Sequence, residues 1–291
     1  MRRIAVIGGD LRLWYLSEQL KKEGKEVSLF GAYRVGPCTK HGLPFTELAA
    51  CLGNVQLVIL GLPMLKKERL VNLGADDYQL GIGDLFPLIP KNVPVLAGMI
   101  TEETMAEAAA FGLTLIDYFL REELTVYNAV PTAEGAVQIA MENTPFMLHG
   151  SRVLVAGFGR VGKILCRTLQ ALGAHVTAAV RKKTDVAWIE AMGYSAAMME
   201  ELPLLVPVSD IIYNTVPAML FPAELLAGMK DDSVLIDLSS APGGVDFESA
   251  KRLRKNVIHA LSLPGKVAPM TAGGMIKTAV SHCLEERGSK L

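Results

Sequence analysis

Residues 153–156, Val-Leu-Val-Ala, run straight into Gly157-Phe158-Gly159-Arg160-Val161-Gly162 and then into an amphipathic stretch that stops at Gly173. A short apolar strand, a tight turn and a helix in that order leave the chain few alternatives. Glycine at 157 permits the turn, at 159 lets backbone lie against a pyrophosphate, and at 162 lets the helix pack close to its strand. The first helical turn then offers unpaired N–H groups and a positive dipole end to an anion. We read Gly157, Gly159, Arg160, Val161 and Gly162 as dinucleotide-binding and this half of the chain as a Rossmann NAD(P)-binding domain. The competing reading is a glycine-rich turn with no ligand.

A missing acid refines the cofactor. The next strand covers 175–180, and an NAD site usually places Asp or Glu about 20 residues past the first glycine, on the ribose 2′-hydroxyl. Here 180–184 read Val-Arg-Lys-Lys-Thr, with no acid before Asp185. Arg181 and Lys182 suit a 2′-phosphate, Arg181 through a bidentate fork, so the expected cofactor is NADP. A solvated basic turn is the alternative.

The first third also alternates strand and helix. Strands are expected over 3–7, 27–30, 57–60, 93–97 and 113–116. Helices are expected over 13–22, with Leu13, Leu16 and Leu20 as its apolar stripe, and over 102–111, with Thr101 as N-cap and Gly112 just past its end. The turn at 8–12, Gly-Gly-Asp-Leu-Arg, lacks a third glycine and carries Asp10 where a phosphate would sit. We therefore expect a flavodoxin-like, substrate-side domain over 1–130. A connecting helix over 131–150 begins at Pro131. The Rossmann domain covers 151–265, with further strands over 209–214, 233–238 and 256–260. A C-terminal helix over 266–291 is expected to return toward the first domain. The fold class is α/β, two doubly wound parallel-sheet domains.

Ligands in such sheets sit beyond the carboxyl ends of the strands. Loops with small or hydroxyl side chains follow three strands of the second domain: 214–217 (Asn-Thr-Val-Pro), 237–244 (Asp-Leu-Ser-Ser-Ala-Pro-Gly-Gly) and 263–269 (Leu-Pro-Gly-Lys-Val-Ala-Pro). Thr215 and Pro217 are assigned to the cofactor. Ser239, Ser240, Lys266 and, from the first domain, Arg12 are assigned to an anionic substrate in a cleft between the sheets. Lys266 is expected to open the last helix. His259 ends a strand and is a weak candidate for a proton carrier. No catalytic residue is assigned.

Composition excludes other classes. The 291 residues are 51% hydrophobic with a net charge of −1, which argues against a broad nucleic-acid face. Mean hydropathy is +0.32, yet no apolar run approaches the roughly 20 residues of a membrane helix. No targeting segment is expected at Met1-Arg2-Arg3, so a cytoplasmic protein is the default. The four cysteines (Cys38, Cys51, Cys166, Cys283) and five histidines (His41, His149, His175, His259, His282) show no metal or disulfide spacing.

Six segments carry a family resemblance: 8–12, 128–136 (Asn-Ala-Val-Pro-Thr-Ala-Glu-Gly-Ala), 157–162, 214–217, 237–244 and 263–269. Together they resemble the A subunit of dipicolinate synthase of spore-forming bacteria. The resemblance implies an NADP-linked dehydrogenase that works with a separate flavoprotein-like B subunit. It also implies oxidation of a dihydrodipicolinate-type dicarboxylate to dipicolinic acid in the mother-cell cytoplasm during sporulation. A homo-oligomer is left open. Two other functions compete: a D-2-hydroxyacid dehydrogenase, which usually carries an arginine where this chain has Ser239-Ser240-Ala241, and a non-catalytic NADP-sensing module.

Overall fold

The computed structural model describes residues 3–31, 45–66, 69–74, 79–289 and 291; Cys38 and His41 lie outside them. In chain order the elements are β1 (Arg3–Ile7), α1 (Leu11–Lys22), β2 (Glu26–Phe30), α2 (Phe45–Leu52), β3 (Leu57–Leu60), α3 (Ile82–Leu85), β4 (Val95–Ala97), α4 (Glu102–Ala110), β5 (Leu115–Asp117) and α5 (Glu122–Asn143). They continue as β6 (Arg152–Ala156), α6 (Arg160–Ala171), β7 (His175–Val180), α7 (Lys183–Ala191), β8 (Ser195–Met198), α8 (Leu202–Leu205), β9 (Ile211–Asn214) and α9 (Ala223–Ala227). The last are β10 (Val234–Asp237), α10 (Phe247–Arg252), β11 (Asn256–His259), α11 (Leu263–Val267) and α12 (Pro269–Glu285). The chain divides into two compact units, Met1–Tyr127 with Ala268–Leu291, and Asn128–Val267.

The first unit holds a five-stranded sheet in the order β2-β1-β3-β4-β5, all parallel. This is the flavodoxin-like order. Strands covered on both faces read as continuous apolar runs, and Leu57, Val58, Ile59 and Leu60 of β3 are all fully buried. One face packs Phe30, Leu48, Ile82 and Phe86. The other packs Leu13, Leu16 and Leu20 of α1 with Ile276, Ala279 and Val280 of α12. The close approach of those two helices needs Gly273, where a methyl group would lie 2.4 Å from the Arg12 carbonyl oxygen. Thr101 caps α4 through its Oγ1, which accepts from Thr104 N–H at 3.2 Å.

The second unit holds a six-stranded sheet in the order β11-β10-β9-β6-β7-β8, again parallel throughout. Counted from β6, this is the Rossmann order 3-2-1-4-5-6, and the strand order reverses between β6 and β9. The protein is therefore α/β, with two doubly wound parallel-sheet domains, the second a Rossmann domain.

Two helices differ from expectation. The helix expected over 131–150 is Glu122–Asn143, with Pro131 in its interior. Proline removes the hydrogen bond to the Tyr127 carbonyl, and the Thr132 hydroxyl donates to the Asn128 carbonyl beside it at 2.7 Å. Burial of Ala133, Ala136, Val137 and Ala140 in the Rossmann core outweighs that loss, so this stretch belongs to the second unit's core. Lys266 does not open the last helix. It lies in the short α11, and α12 starts at Pro269 after the non-helical Ala268. A proline at the first helical position, where its missing N–H costs nothing, sets that start.

Candidate functional site

The turn after β6 has the geometry its glycines promise. Gly157 has φ +99°, and its N–H donates to the Ala179 carbonyl at 2.9 Å. A methyl group at Gly162 would lie 2.3 Å from the Gly157 carbonyl oxygen, so the helix does pack hard on the turn. A methyl group at Gly159, by contrast, would meet no atom within 4 Å beyond its chain neighbours. The space above Gly159 is open. Gly159 is also the N-cap of α6, with no side-chain cap and no acid in the first turn. The first-turn N–H groups of a helix have no intrahelical acceptors, and here their positive end faces that open space.

The space is a cleft of about 510 Å³ in the second unit. Of the residues assigned to the cofactor, Gly157, Gly159, Arg160, Val161, Arg181, Lys182, Thr215 and Pro217 line it. Gly162 does not; it sits beneath the turn. The Thr215 hydroxyl donates to the Ala156 carbonyl at 2.9 Å, directly under Gly157. That hydroxyl props the turn with its one hydrogen, which leaves its oxygen able only to accept.

Arg181 and Lys182 are exposed at the β7 end of the cleft, and Asp185 lines the same end. Linear spacing hides Asp185. Lys182 is the extended N-cap of α7, so Asp185 is the third residue of the helix and returns toward its cap. Its N–H donates to the Lys182 carbonyl at 3.0 Å.

The opposite wall carries Leu238, Ser239 and Ser240. Ser239 is buried and donates through Oγ to Asp237 at 2.7 Å, whereas Ser240 is exposed. Asp237, to which the sequence pattern assigns no role, is fully buried and accepts four hydrogen bonds. An acid closing the apolar run Val-Leu-Ile-Asp is the available signal. His259 does not line the cleft; its Nε2 donates to the Ser239 carbonyl at 3.0 Å while its ring stacks on Phe247 at 5.0 Å.

Two substrate assignments fall outside this cleft. Lys266 is exposed and is not part of its wall. Arg12, in the first unit, is 5% exposed. Its Nε and Nη2 reach Asp10 at 2.9 Å each, and Nη2 also donates to the Leu62 carbonyl. Arg12 is a neutralised, structural cation, because the Asp10 that caps α1 also takes its charge. Among the described residues no group of side chains could hold a metal ion. The described cysteines, Cys51, Cys166 and Cys283, are buried and unpaired. Burial raises the Cys166 thiol to about 12, which makes it inert. No helix among the described residues is long and apolar enough to cross a membrane.

Comparison with known proteins places this geometry. Residues 3–119 match the N-terminal domain of the dipicolinate synthase A subunit. The chain is 31% identical to the A subunit of dipicolinate synthase from Bacillus subtilis (strain 168), over 98% of its own length and 96% of the relative's. The chain belongs to the family of dipicolinate synthase A subunits. The crystal structure of the Bacillus halodurans family member superposes with a TM-score of 0.81 at 26% identity, covering 96% of each chain. That of the Bacillus subtilis protein gives 0.80 at 30% identity, covering 98% of this chain and 96% of the other. A transhydrogenase from Sinorhizobium meliloti shares the fold, with a TM-score of 0.69 at 17% identity over 98% and 94% of the two chains. Residues 132–263 match the NAD binding domain of D-isomer specific 2-hydroxyacid dehydrogenases. The cofactor class is thus a nicotinamide dinucleotide. The open space over Gly159, the uncapped α6 and the size of the cleft all fit one.

Proposed function

We propose that this chain is the dehydrogenase component of a dipicolinate synthase and oxidises a dihydrodipicolinate-type dicarboxylate with NADP. The observation that carries the reading is the uncapped N-terminus of α6 opening onto a cleft whose far end presents Arg181 and Lys182. The backbone of 157–161 would hold the pyrophosphate, and Arg181 with Lys182 would pair with a 2′-phosphate. The bound cofactor supplies the hydride acceptor. Removing a hydride and a proton from a dihydropyridine yields an aromatic ring, so the demand on the protein is orientation more than a strong base.

At the β10 wall the Ser239 hydroxyl is committed to Asp237, which leaves Ser240 as the exposed hydroxyl facing the cleft. We assign Ser240 to the substrate. Arg12 loses that assignment because Asp10 and the Leu62 carbonyl take its guanidinium, whereas the exposed Lys266 keeps its assignment to a substrate carboxylate. Membership of this family supports a separate B subunit as partner, with a role in sporulating cells.

The test is absorbance at the reduced-nicotinamide band, using purified chain, NADP and freshly generated dihydrodipicolinate, with and without the B subunit. Growth of the band, faster with NADP than with NAD, is the expected result. Tight cofactor binding with no hydride transfer under either condition would turn the reading to a cofactor-sensing module. The match of 132–263 keeps D-2-hydroxyacid oxidation as the second reading. The Ser239-Ser240-Ala241 loop, without arginine, opposes it, and lactate-type substrates in the same assay decide the matter.

A further inference from the structure

Asp237 is fully buried, and its two carboxylate oxygens accept four hydrogen bonds. Oδ1 accepts from Asn214 Nδ2 at 2.9 Å, from the Ser239 N–H at 3.0 Å and from the Ser239 hydroxyl at 2.7 Å. Oδ2 accepts from the Gly244 N–H at 2.8 Å. An ionised carboxylate is acceptor-only and suits such a ring of donors, whereas an amide in its place cannot.

The donors belong to two different loops. Asn214 ends β9, and its side chain brackets Val216: Oδ1 accepts from Val216 N–H at 3.0 Å and Nδ2 donates to Val216 O at 3.0 Å. Val216 lines the cleft, and so does Ser239 after β10. Gly244 closes the second loop against the first, since a methyl group there would lie 2.4 Å from Asn214 Nδ2 and 2.7 Å from Val216 O. His259 holds the same loop from behind through the Ser239 carbonyl.

We infer that Asp237 is a positioning residue whose carboxylate locks the 214–217 and 238–244 loops into one rigid wall for the nicotinamide half of the cofactor. The inference rests on the dinucleotide reading above. In a Rossmann sheet the adenosine half lies toward β7 and the nicotinamide half toward β9 and β10. A wall built on β9 and β10 therefore acts more strongly on the nicotinamide half than on the adenosine half, with Thr215 as its tie to the turn at Gly157. A merely structural carboxylate would act on both halves alike.

The experiment titrates two probes, NADP and 2′-phospho-ADP-ribose, which lacks the nicotinamide ring, against wild type and Asp237→Asn. The amide places an N–H₂ against at least one of the donors, and the wall loosens. Affinity for NADP is expected to fall about tenfold, with that for the ring-less probe changed less than about twofold. Ser239→Ala removes one donor of the four and keeps the carboxylate. It gives a second reading if Asp237→Asn does not fold, with a loss of about threefold for NADP alone. Equal losses for both probes, or no loss for either, would overturn the inference while leaving the cofactor reading intact. Wild type that binds neither probe would instead overturn the cofactor reading, and this inference with it.

Discussion

Each unit contains a strand, a glycine turn and a helix of 12 residues in direct succession, and the two turns differ in what the chain leaves open beside them. After β6 the helix has no side-chain cap, no first-turn acid, and open space above Gly159. After β1 every equivalent opportunity is closed by the chain itself. Asp10 caps α1 by accepting from the Arg12 N–H at 3.0 Å, which places a carboxylate at the positive helix end. The Gly9 N–H donates to the Asn72 carbonyl at 2.6 Å. A methyl group at Gly8 would lie 2.4 Å from that same oxygen. Asn72 is tied down in turn, its Nδ2 donating to the Pro63 carbonyl at 2.9 Å. Backbone carbonyls and Asp10 thus occupy the donors that phosphate oxygens would seek. The first turn fills its own helix end, whereas the second leaves open space beside a helix start that has no side-chain cap.

The comparison breaks most cleanly at the glycines. Gly159→Val should abolish measurable NADP binding while the fold survives, because the side chain enters the cleft and the residue's backbone, at φ −78°, accepts any side chain. Calorimetric titration beside a thermal melt would show this. Unchanged affinity in a folded variant would remove Gly159 from the site. Gly8→Ala should do the reverse. Its φ of +70° and the overlap with Asn72 together cost about 3 kcal/mol of stability, with NADP affinity unchanged. Cofactor binding lost in a folded Gly8→Ala protein would mean that the first turn is a ligand site after all.

Arg181→Ala sharpens the open half of the comparison by a smaller amount. The loss of one charge-assisted bond to a 2′-phosphate is about 1–3 kcal/mol for NADP, with NAD nearly unaffected. Asp185 gives this test its edge, since it stands in the same end of the cleft as the two cations. Equal losses for NAD and NADP would sink the NADP assignment and leave Asp185 as the group facing the ribose.

Why some of this is legible in the sequence, and some not, is a matter of range. Strands buried on both faces, such as 57–60 and 153–156, announce themselves as apolar runs, and Thr101 and Gly112 mark α4 by local chemistry. The fingerprint is likewise local, so the glycine geometry can be read from spacing. By contrast, β8 (Ser195–Met198) is a short, partly exposed edge strand, Ser-Ala-Ala-Met, with no β-branched or aromatic residue to mark it. The helix running through Pro131 is hidden because local steric preference points one way and burial of Ala133, Ala136 and Ala140 the other. Arg12 and Asp237 escape for a related reason. Whether a charged group is a free ligand or a buried strut depends on partners such as the Leu62 carbonyl and Asn214, which meet only in the fold.

The smallest expected effect separates the units by pH. In the first unit Glu123, at the start of α5, accepts from Arg121 and from His282 Nδ1 of α12, the latter at 3.2 Å, while Arg121 Nη1 also reaches Glu286 at 2.9 Å. The Arg121 hydrogen bond, followed by Glu123's own backbone N–H and His282, holds its carboxyl down from 4.5 to about 2. A carboxyl depressed in the folded state adds stability that is complete above the unfolded value. That contribution fades as pH falls from 4.5 toward about 2. Glu123→Gln should therefore melt slightly below wild type near neutral pH, and the gap should close over that acid range. The pair is partly exposed and the gap accordingly small. Melting midpoints of both proteins across the range measure it, and a gap that stays constant with pH would show that the variant acts through packing. Because the cluster belongs to the first unit, NADP affinity of the variant near neutral pH should match wild type, and a loss there would tie this helix end to the cofactor.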